Sequence, residues 1–567
     1  MLSKIMFVRR FFAVLLATSA TAIAADAGRP DAPRLIVQIT VDQLRGDLPT
    51  RYRDRLGKGG FRYLLEHGVH YANAHHLHAT TETIVGHTTL ATGAHPAAHG
   101  MVANVWYDRE LDRLVYNIED SRYRLLTAGA DVDAATEIDP TQKKARSEGR
   151  SPAAIQVSTF GDELAILTGG RAKVFAVSVK DRGAVSMAGH AGKAYWFSKA
   201  SGEFVTSTYY LEQYPKWVAD WNAKRHPDRY AGTSWKLLHA QESYLFGDAD
   251  DRSWETALPG FGRIFPHPWG AKDGKLYTTL LTLSPAGDEL TLDFALELLE
   301  NEDLGTDDIP DFLGISFSST DYVGHIFGPS SLEAEDNLLR LDRTLARLFD
   351  TLEERVGLAN TLVVLSADHG APEAPGALTE LGIESAYVDP ATWDKAPAIE
   401  ALKRRFGVGQ QLIEAFFQPY VYLDRELIAE RDLDQAEVER AVADELMKLD
   451  GVALALSSEA LRSGAFPEMP LVRKILNNFN PKRSGDIFVV FEPQRFIADF
   501  DGLTVASTHG SPWSYDTFVP IFVAGAGVVP RKVHRRVAPN DIAPTLSAIV
   551  GAKPPSGSVG ELLVEVF

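Results

Sequence analysis

The sequence predicts an α/β fold: a mostly parallel central sheet with helices on both faces, carrying inserted loops or subdomains. Three observations predict it. Apolar, β-branched runs of strand length recur along the chain. Segments of helical periodicity lie between several of them. Polar Asp, His, Lys and Arg residues stand just past the ends of the runs. Strands alternating with helices make a sheet covered on both faces, and such sheets bind ligands outside the carboxyl ends of their strands.

Taken in chain order, Leu-Ile-Val-Gln-Ile-Thr-Val over 35–41 reads as a buried strand ending at Asp42. Residues 52–67 have helical spacing, with Leu56, Phe61, Leu64 and Leu65 as the apolar positions. A second strand is read over 173–179, ending at Lys180, and a third over 312–318, ending near Asp321. Further strands are read at 362–365, before Asp368, and at 518–523. Residues 288–300 and 331–355 read as amphipathic helices. Stretches near 105–155, 195–275 and 375–500 lack this rhythm and are expected to be insertions into one catalytic domain spanning 25–567. Gly525-Ala-Gly527 lacks the rest of a dinucleotide fingerprint and reads as a turn.

The chain has 567 residues, 45% hydrophobic and 23% charged, an ordinary soluble globular balance. A formal charge of −19 disfavours nucleic acid as a partner. The absence of cysteine excludes disulfides, thiolate metal sites and a cysteine nucleophile. Lys4, Arg9 and Arg10, the apolar run 11–24 and Ala22-Ile23-Ala24 predict a secretory signal peptide over 1–24. The expected mature protein is therefore periplasmic or secreted, unattached to membrane, and monomeric.

Several short constellations carry chemistry. On a helix, Asp321 and His325 would share one face, as two ligands of one metal do. Asp368-His369 and Asp42 each follow a strand, and His509 lies in Ser507-Thr-His-Gly-Ser511. Three Asp and three His suffice for two tetrahedral zinc sites with open positions. A pair of metals can clamp both the attacking and the leaving oxygen in phosphoryl transfer. Asp42 has an ordinary alternative as the cap of a helix beginning near Leu48, and Asp368-His369 as a capped turn. Residues 83–93 read as a short helix opened by a threonine cap, which would offer backbone N–H groups to a phosphate. Thr83 is a nucleophile candidate there, and Thr80, Thr81 and Thr88 compete with it on composition. In an extended chain Lys180 and Arg182 would point the same way and bind phosphoryl oxygens, and Asn104 is a candidate amide donor.

The ordered set Val41-Asp42, Thr83-Ile-Val-Gly-His87, His99-Gly-Met-Val-Ala-Asn104, Lys180-Asp-Arg182, Asp321-Tyr-Val-Gly-His325, Ala367-Asp-His-Gly370 and Thr508-His-Gly510 resembles the alkaline phosphatase superfamily. It is most similar to the bacterial PafA-type alkaline phosphatases, relatives of the nucleotide pyrophosphatase/phosphodiesterases. The resemblance implies Thr83 as the nucleophile, by its spacing from Asn104, and a phosphothreonine intermediate. It implies two Zn2+: Asp321, His325 and His509 on one, and Asp42, Asp368, His369 and Thr83 on the other. Asn104, Lys180 and Arg182 would bind the phosphoryl oxygens of small phosphate monoesters. His75-His-Leu-His78 falls outside that ligand set and reads as surface or packing residues.

Other readings differ at identifiable positions. A phosphodiesterase on the same scaffold would have to fit a second organic group where Lys180 and Arg182 stand. A sulfatase would need a Cys- or Ser-derived nucleophile in place of Thr. A binding protein with a decayed site would lack one of the expected ligands, and all are present.

Overall fold

The strand Leu35–Val41 is buried at every position and lies at the centre of a nine-stranded sheet. The structure is a computed structural model that describes residues 32–567 apart from 249, 498 and 501; the expected signal peptide lies outside the described residues. Asp311–Phe317 pairs parallel with one side of the central strand and Thr361–Ser366 with the other. Val174–Ser178 and then Lys193–Ser198 continue the parallel set, and Glu203–Val205 closes that edge antiparallel. On the other side Phe518–Gly525 runs antiparallel to Thr361–Ser366. Gly68–His75 is antiparallel to it in turn, and Arg531–Val533 finishes the edge.

The sheet is covered on both faces because neighbouring residues of a strand point to opposite sides. Ala176 packs in one apolar cluster with Ala184, Val185 and Met187 of the helix Asp181–Ala188. Phe175 and Val177 belong to a second cluster with Leu290, Phe294 and Leu298 of the helix Pro285–Asn301.

This topology explains why residues hundreds of positions apart meet. The parallel strands deliver Asp42, Lys180, Asp321 and Asp368 to one edge of the sheet. Phe518–Gly525 is reversed, so the segment that precedes it, with His509, enters at that same edge. Gly68–His75 is reversed once more, so Thr83, which follows it, also arrives there.

Two expectations need correction. Residues 52–67 are not one helix: a short turn at Arg53–Arg55 is separated from the helix Phe61–His67 by Gly57, Gly59 and Gly60. The Asp342 carboxylate accepts from the N–H groups of Gly57 and Phe61 at 2.7 Å each, and a Cβ on Gly60 would lie 2.2 Å from the Asp342 carbonyl oxygen. The stretch 195–275 starts inside the central sheet, since Lys193–Ser198 and Glu203–Val205 are its edge strands. The strand read at 518–523 is present and antiparallel, within a sheet that is mostly parallel as expected.

Residues 105–155 hold the hairpin Val105–Asp108 with Arg113–Tyr116 and a long irregular stretch. Residues 375–500 hold a four-stranded sheet, in the order Ile413–Phe417, Tyr420–Leu423, Ile487–Phe491, Val452–Ser457, with an apolar cluster of its own. Among the described residues no helix is long and apolar enough to cross a membrane.

Candidate active site

The helix Thr83–Thr92 starts one residue earlier than a cap at Thr83 would give. Glu82 is the cap residue and Thr83 the first residue of the helix, and Gly93 ends it at φ 67°. The helix is buried throughout because it lies directly on the Asp368 backbone: a Cβ at Gly86 would stand 2.0 Å from the Asp368 carbonyl oxygen. Gly86→Ala is therefore expected to cost about 1–3 kcal/mol, as overpacking does, and to lower activity through displacement of Thr83. A thermal melt beside a rate assay checks this, and an unaltered melt would contradict the packing argument.

Two clusters of ligand atoms face the pocket edge of the sheet. Asp321, His325 and His509 form the first. Ser319–Phe327 is helical, so Asp321 and His325 do share a face. Their Oδ1 and Nε2 atoms are 3.2 Å apart, and His509 Nε2 is 3.3 Å from the same oxygen. Each histidine donates Nδ1–H to a carbonyl, His325 to Ser507 at 2.8 Å and His509 to Thr81 at 2.7 Å. That assigns the tautomer and leaves the Nε2 lone pairs turned on a carboxylate oxygen, an arrangement a cation would satisfy.

Asp42, Asp368 and His369 form the second cluster, fully buried. His369 Nδ1 donates to the Gly370 carbonyl at 3.0 Å, and its Nε2 lies 3.5 Å from Asp42 and 3.4 Å from Asp368. His369 Nε2 and Asp42 Oδ1 have no hydrogen-bond partner. Buried charged and polar atoms of this kind are paired or bind metal. Both clusters have the Asp/His donor set that suits zinc. Burial pushes the Asp42 carboxyl well above the usual range, the Asp368 carboxylate adds to this, and Lys180 offsets only part. Burial also opposes charge on Asp321, but His325 and Lys180 outweigh it and hold that carboxyl well below the usual range. Burial keeps His369 and His509 neutral, the form that ligates.

Lys180 and Arg182 do not lie side by side as extended-chain residues. Lys180 caps the helix Asp181–Ala188, and Arg182 sits in its first turn. The Lys180 ammonium bridges the clusters, 2.7 Å from Asp42 Oδ2 and bonded to Asp321 Oδ2, and it does not line the pocket. Arg182 does line it: Nη2 donates to Thr83 Oγ1 at 3.3 Å and Nη1 to Asp139 at 2.7 Å. Asn104 also lines the pocket, its Oδ1 accepting from Ile84 N–H at 3.1 Å. The pocket of about 330 Å³ thus has Thr83, Asn104, Arg182, Asp321, His325 and His509 in its wall.

Several site residues carried no sequence signal. Asp139 lies in the irregular stretch and meets Arg182 only in three dimensions. Burial opposes its charge, but Arg182, Lys180 and Lys199 hold it well below the usual carboxylate range. Asp181 accepts from the Tyr116 hydroxyl at 2.5 Å and from Arg150 at 2.8 Å, bracing the helix that carries Arg182. Glu82 accepts from Asn104 N–H, and burial pushes its carboxyl up to about 7. His75-His-Leu-His78 contributes to neither cluster: His76 donates to the Ala367 carbonyl at 3.1 Å, and His75 stacks on Phe518.

A family model described as type I phosphodiesterase / nucleotide pyrophosphatase matches residues 36–512. The chain is 36% identical over 540 residues to alkaline phosphatase PafA of Elizabethkingia meningoseptica, covering 94% of each protein. The chain belongs to the PafA-type alkaline phosphatases. A second relative in this alkaline phosphatase family is PhoV of Synechococcus elongatus, 34% identical, with 94% of this chain and 93% of PhoV covered. The crystal structure of wild-type PafA superposes with a TM-score of 0.85 at 35% identity, over 94% of this chain and 99% of that one. In this alkaline phosphatase the two ligand clusters, Thr83 and the Arg182–Asp139 pair all stand at the carboxyl edge of one sheet, where the fold class directs ligands.

Proposed function

We propose that this chain is an exported two-zinc phosphatase that hydrolyses phosphate monoesters through a phosphothreonine at Thr83. The observation that carries the reading is the Arg182 guanidinium, which reaches Thr83 Oγ1 with one nitrogen while Asp139 holds the other. One zinc would be held by Asp321, His325 and His509, and the other by Asp42, Asp368 and His369 with Thr83. Bound there, zinc would supply Lewis acidity that lowers the pKa of the Thr83 hydroxyl and neutralises phosphoryl charge.

Thr83 Oγ1 attacks phosphorus, a P–O bond to Thr83 forms, and the bond to the leaving alcohol breaks. Water then attacks the same phosphorus, releasing phosphate and restoring the hydroxyl. Arg182 and the Asn104 amide hold non-bridging oxygens through this exchange, and Lys180 adds charge beside them. Two divalent ions and the Lys180 ammonium against three carboxylates leave a surplus of two positive charges, which suits a dianionic monoester. Export is supported by the positively charged start, the apolar run and the Ala22-Ile23-Ala24 pattern.

A diesterase reading follows the description of the matching family model. Rates on an aryl phosphate monoester and the matching diester decide between the two. Monoester preference is expected, and diester preference would sink the role given to Lys180 and Arg182. Asp139→Asn is a second test. It keeps a hydrogen-bond acceptor but removes the charge that orients Arg182, so a loss of about 10- to 100-fold in kcat/KM is expected, of the size seen when a supporting partner is removed. The variant should also bind inorganic phosphate more weakly in a competition assay; unchanged inhibition would show that Asp139 does not orient Arg182.

A further inference from the structure

The pocket has a second wall that the phosphoryl chemistry does not use. It comes from the irregular stretch 105–155, which supplies Val105 and Ile138, and the inserted stretch 375–500, which supplies Phe416, Phe417 and Ile497. Phe416 and Phe417 end the strand Ile413–Phe417, so their rings point to opposite faces. Phe416 is tied back into the inserted sheet's own core, with its ring 5.2 Å from Trp393 and 6.0 Å from Phe491. Phe417 turns the other way and is half-buried, with the Lys144 ammonium 5.8 Å from its ring centre. The next residue fixes this wall to the site: Gln418 Nε2 donates to the His509 carbonyl at 3.5 Å.

That anchorage decides which part of a substrate the wall meets. Thr83 stands on the helix packed over Asp368, the side of the second ligand cluster. His509 belongs to the first cluster. In phosphoryl transfer the attacking and leaving oxygens are roughly in line on opposite sides of phosphorus. A leaving group expelled by Thr83 therefore departs toward the His509 side, where Phe417 waits.

Resting on the monoesterase reading above, we propose that Phe417 is the specificity-determining residue of a leaving-group subsite, and that the subsite favours phosphate monoesters whose leaving alcohol carries an aromatic ring. Aromatic pairs prefer offset or edge contacts and gain beyond the area they bury, and Val105, Ile138 and Ile497 in the same pocket wall add apolar surface for such a ring.

Benzyl phosphate and ethyl phosphate test this, because their leaving alcohols are similarly poor and differ in the ring. The zinc-loaded full chain is expected to show a kcat/KM about tenfold higher for benzyl phosphate, the scale of one well-packed aromatic contact. Phe417→Ala should lower the benzyl value by about that factor and the ethyl value by much less, bringing the ratio near one. Phe417→Tyr should keep the ratio, and Phe417→Leu should keep only part of it. Ethyl phosphate turned over as well as benzyl phosphate by the unaltered protein would overturn the subsite and leave the monoesterase reading standing. An equal fall on both substrates in Phe417→Ala would assign the ring a packing role and overturn the proposal. Turnover of a diester with neither monoester consumed would instead remove the reading on which the proposal rests.

Discussion

Thr83→Ala is expected to lower kcat/KM for an aryl phosphate monoester by on the order of a thousandfold or more, because the covalent route loses its only oxygen nucleophile. The position makes the expectation specific. Thr81 Oγ1 donates to the Ser511 carbonyl at 2.9 Å, and Thr80 and Thr88 are buried outside the pocket wall. Thr83 Oγ1 instead accepts from Arg182, the side chain that would also hold the phosphoryl group. Thr83→Ser restores an oxygen at the same place and should recover a large part of the rate. Removing a hydroxyl from the first residue of a buried helix need not disturb the fold, so a melting curve close to that of the unaltered protein should accompany the loss. Thr83→Ala retaining a tenth or more of the activity would rule out the phosphothreonine. Trapping phosphate on the protein by acid quench, and its absence from Thr83→Ala, would test the same step without reference to rate.

How much of this was legible in the sequence depends on how local each signal is. Leu35–Val41 could be read because a strand buried on both faces is apolar nearly throughout. Gly68–His75 escaped notice, since Gly-Val-His-Tyr-Ala-Asn-Ala-His mixes small and polar residues with no alternation, and its partner Phe518–Gly525 supplies the regularity instead. Asp321 and His325 were readable because helical spacing is a one-dimensional rule. Lys180 and Arg182 do stand at the site, but not side by side as an extended chain would place them. The strand stops at Ser178, and the helix that follows sends one cation between the carboxylates and the other into the pocket. Glu82, not Thr83, holds the cap place, because a side-chain cap hydrogen bond is not what starts this helix. Asp139 and Glu82 could not be read at all, because each meets its partner, Arg182 or the Asn104 N–H, only where the fold brings the two together.

Removing divalent metal with a chelator is expected to abolish turnover, and zinc should restore it. The physical case rests on uncompensated charge. Three carboxylates, Asp42, Asp321 and Asp368, converge at the sheet edge with Lys180 bridging two of them. His325, His369 and His509 turn Nε2 lone pairs toward those carboxylates, and Asp42 Oδ1 is buried without a hydrogen-bond partner. Taking a divalent cation away leaves like charges facing one another in a low-dielectric setting, so the folded state should lose stability together with activity. The melting temperature is therefore expected to fall on chelation and to recover with zinc, a readout that does not depend on catalysis. Single ligand variants separate the two clusters. Asp321→Asn should remove one zinc from a fully loaded chain, as measured by metal analysis, and His369→Ala should remove the other. Activity that survives chelation with metal verified absent would end the two-zinc reading. One metal per chain at saturation would instead confine zinc to a single cluster, and the surplus charge argued for a dianionic monoester would then no longer hold.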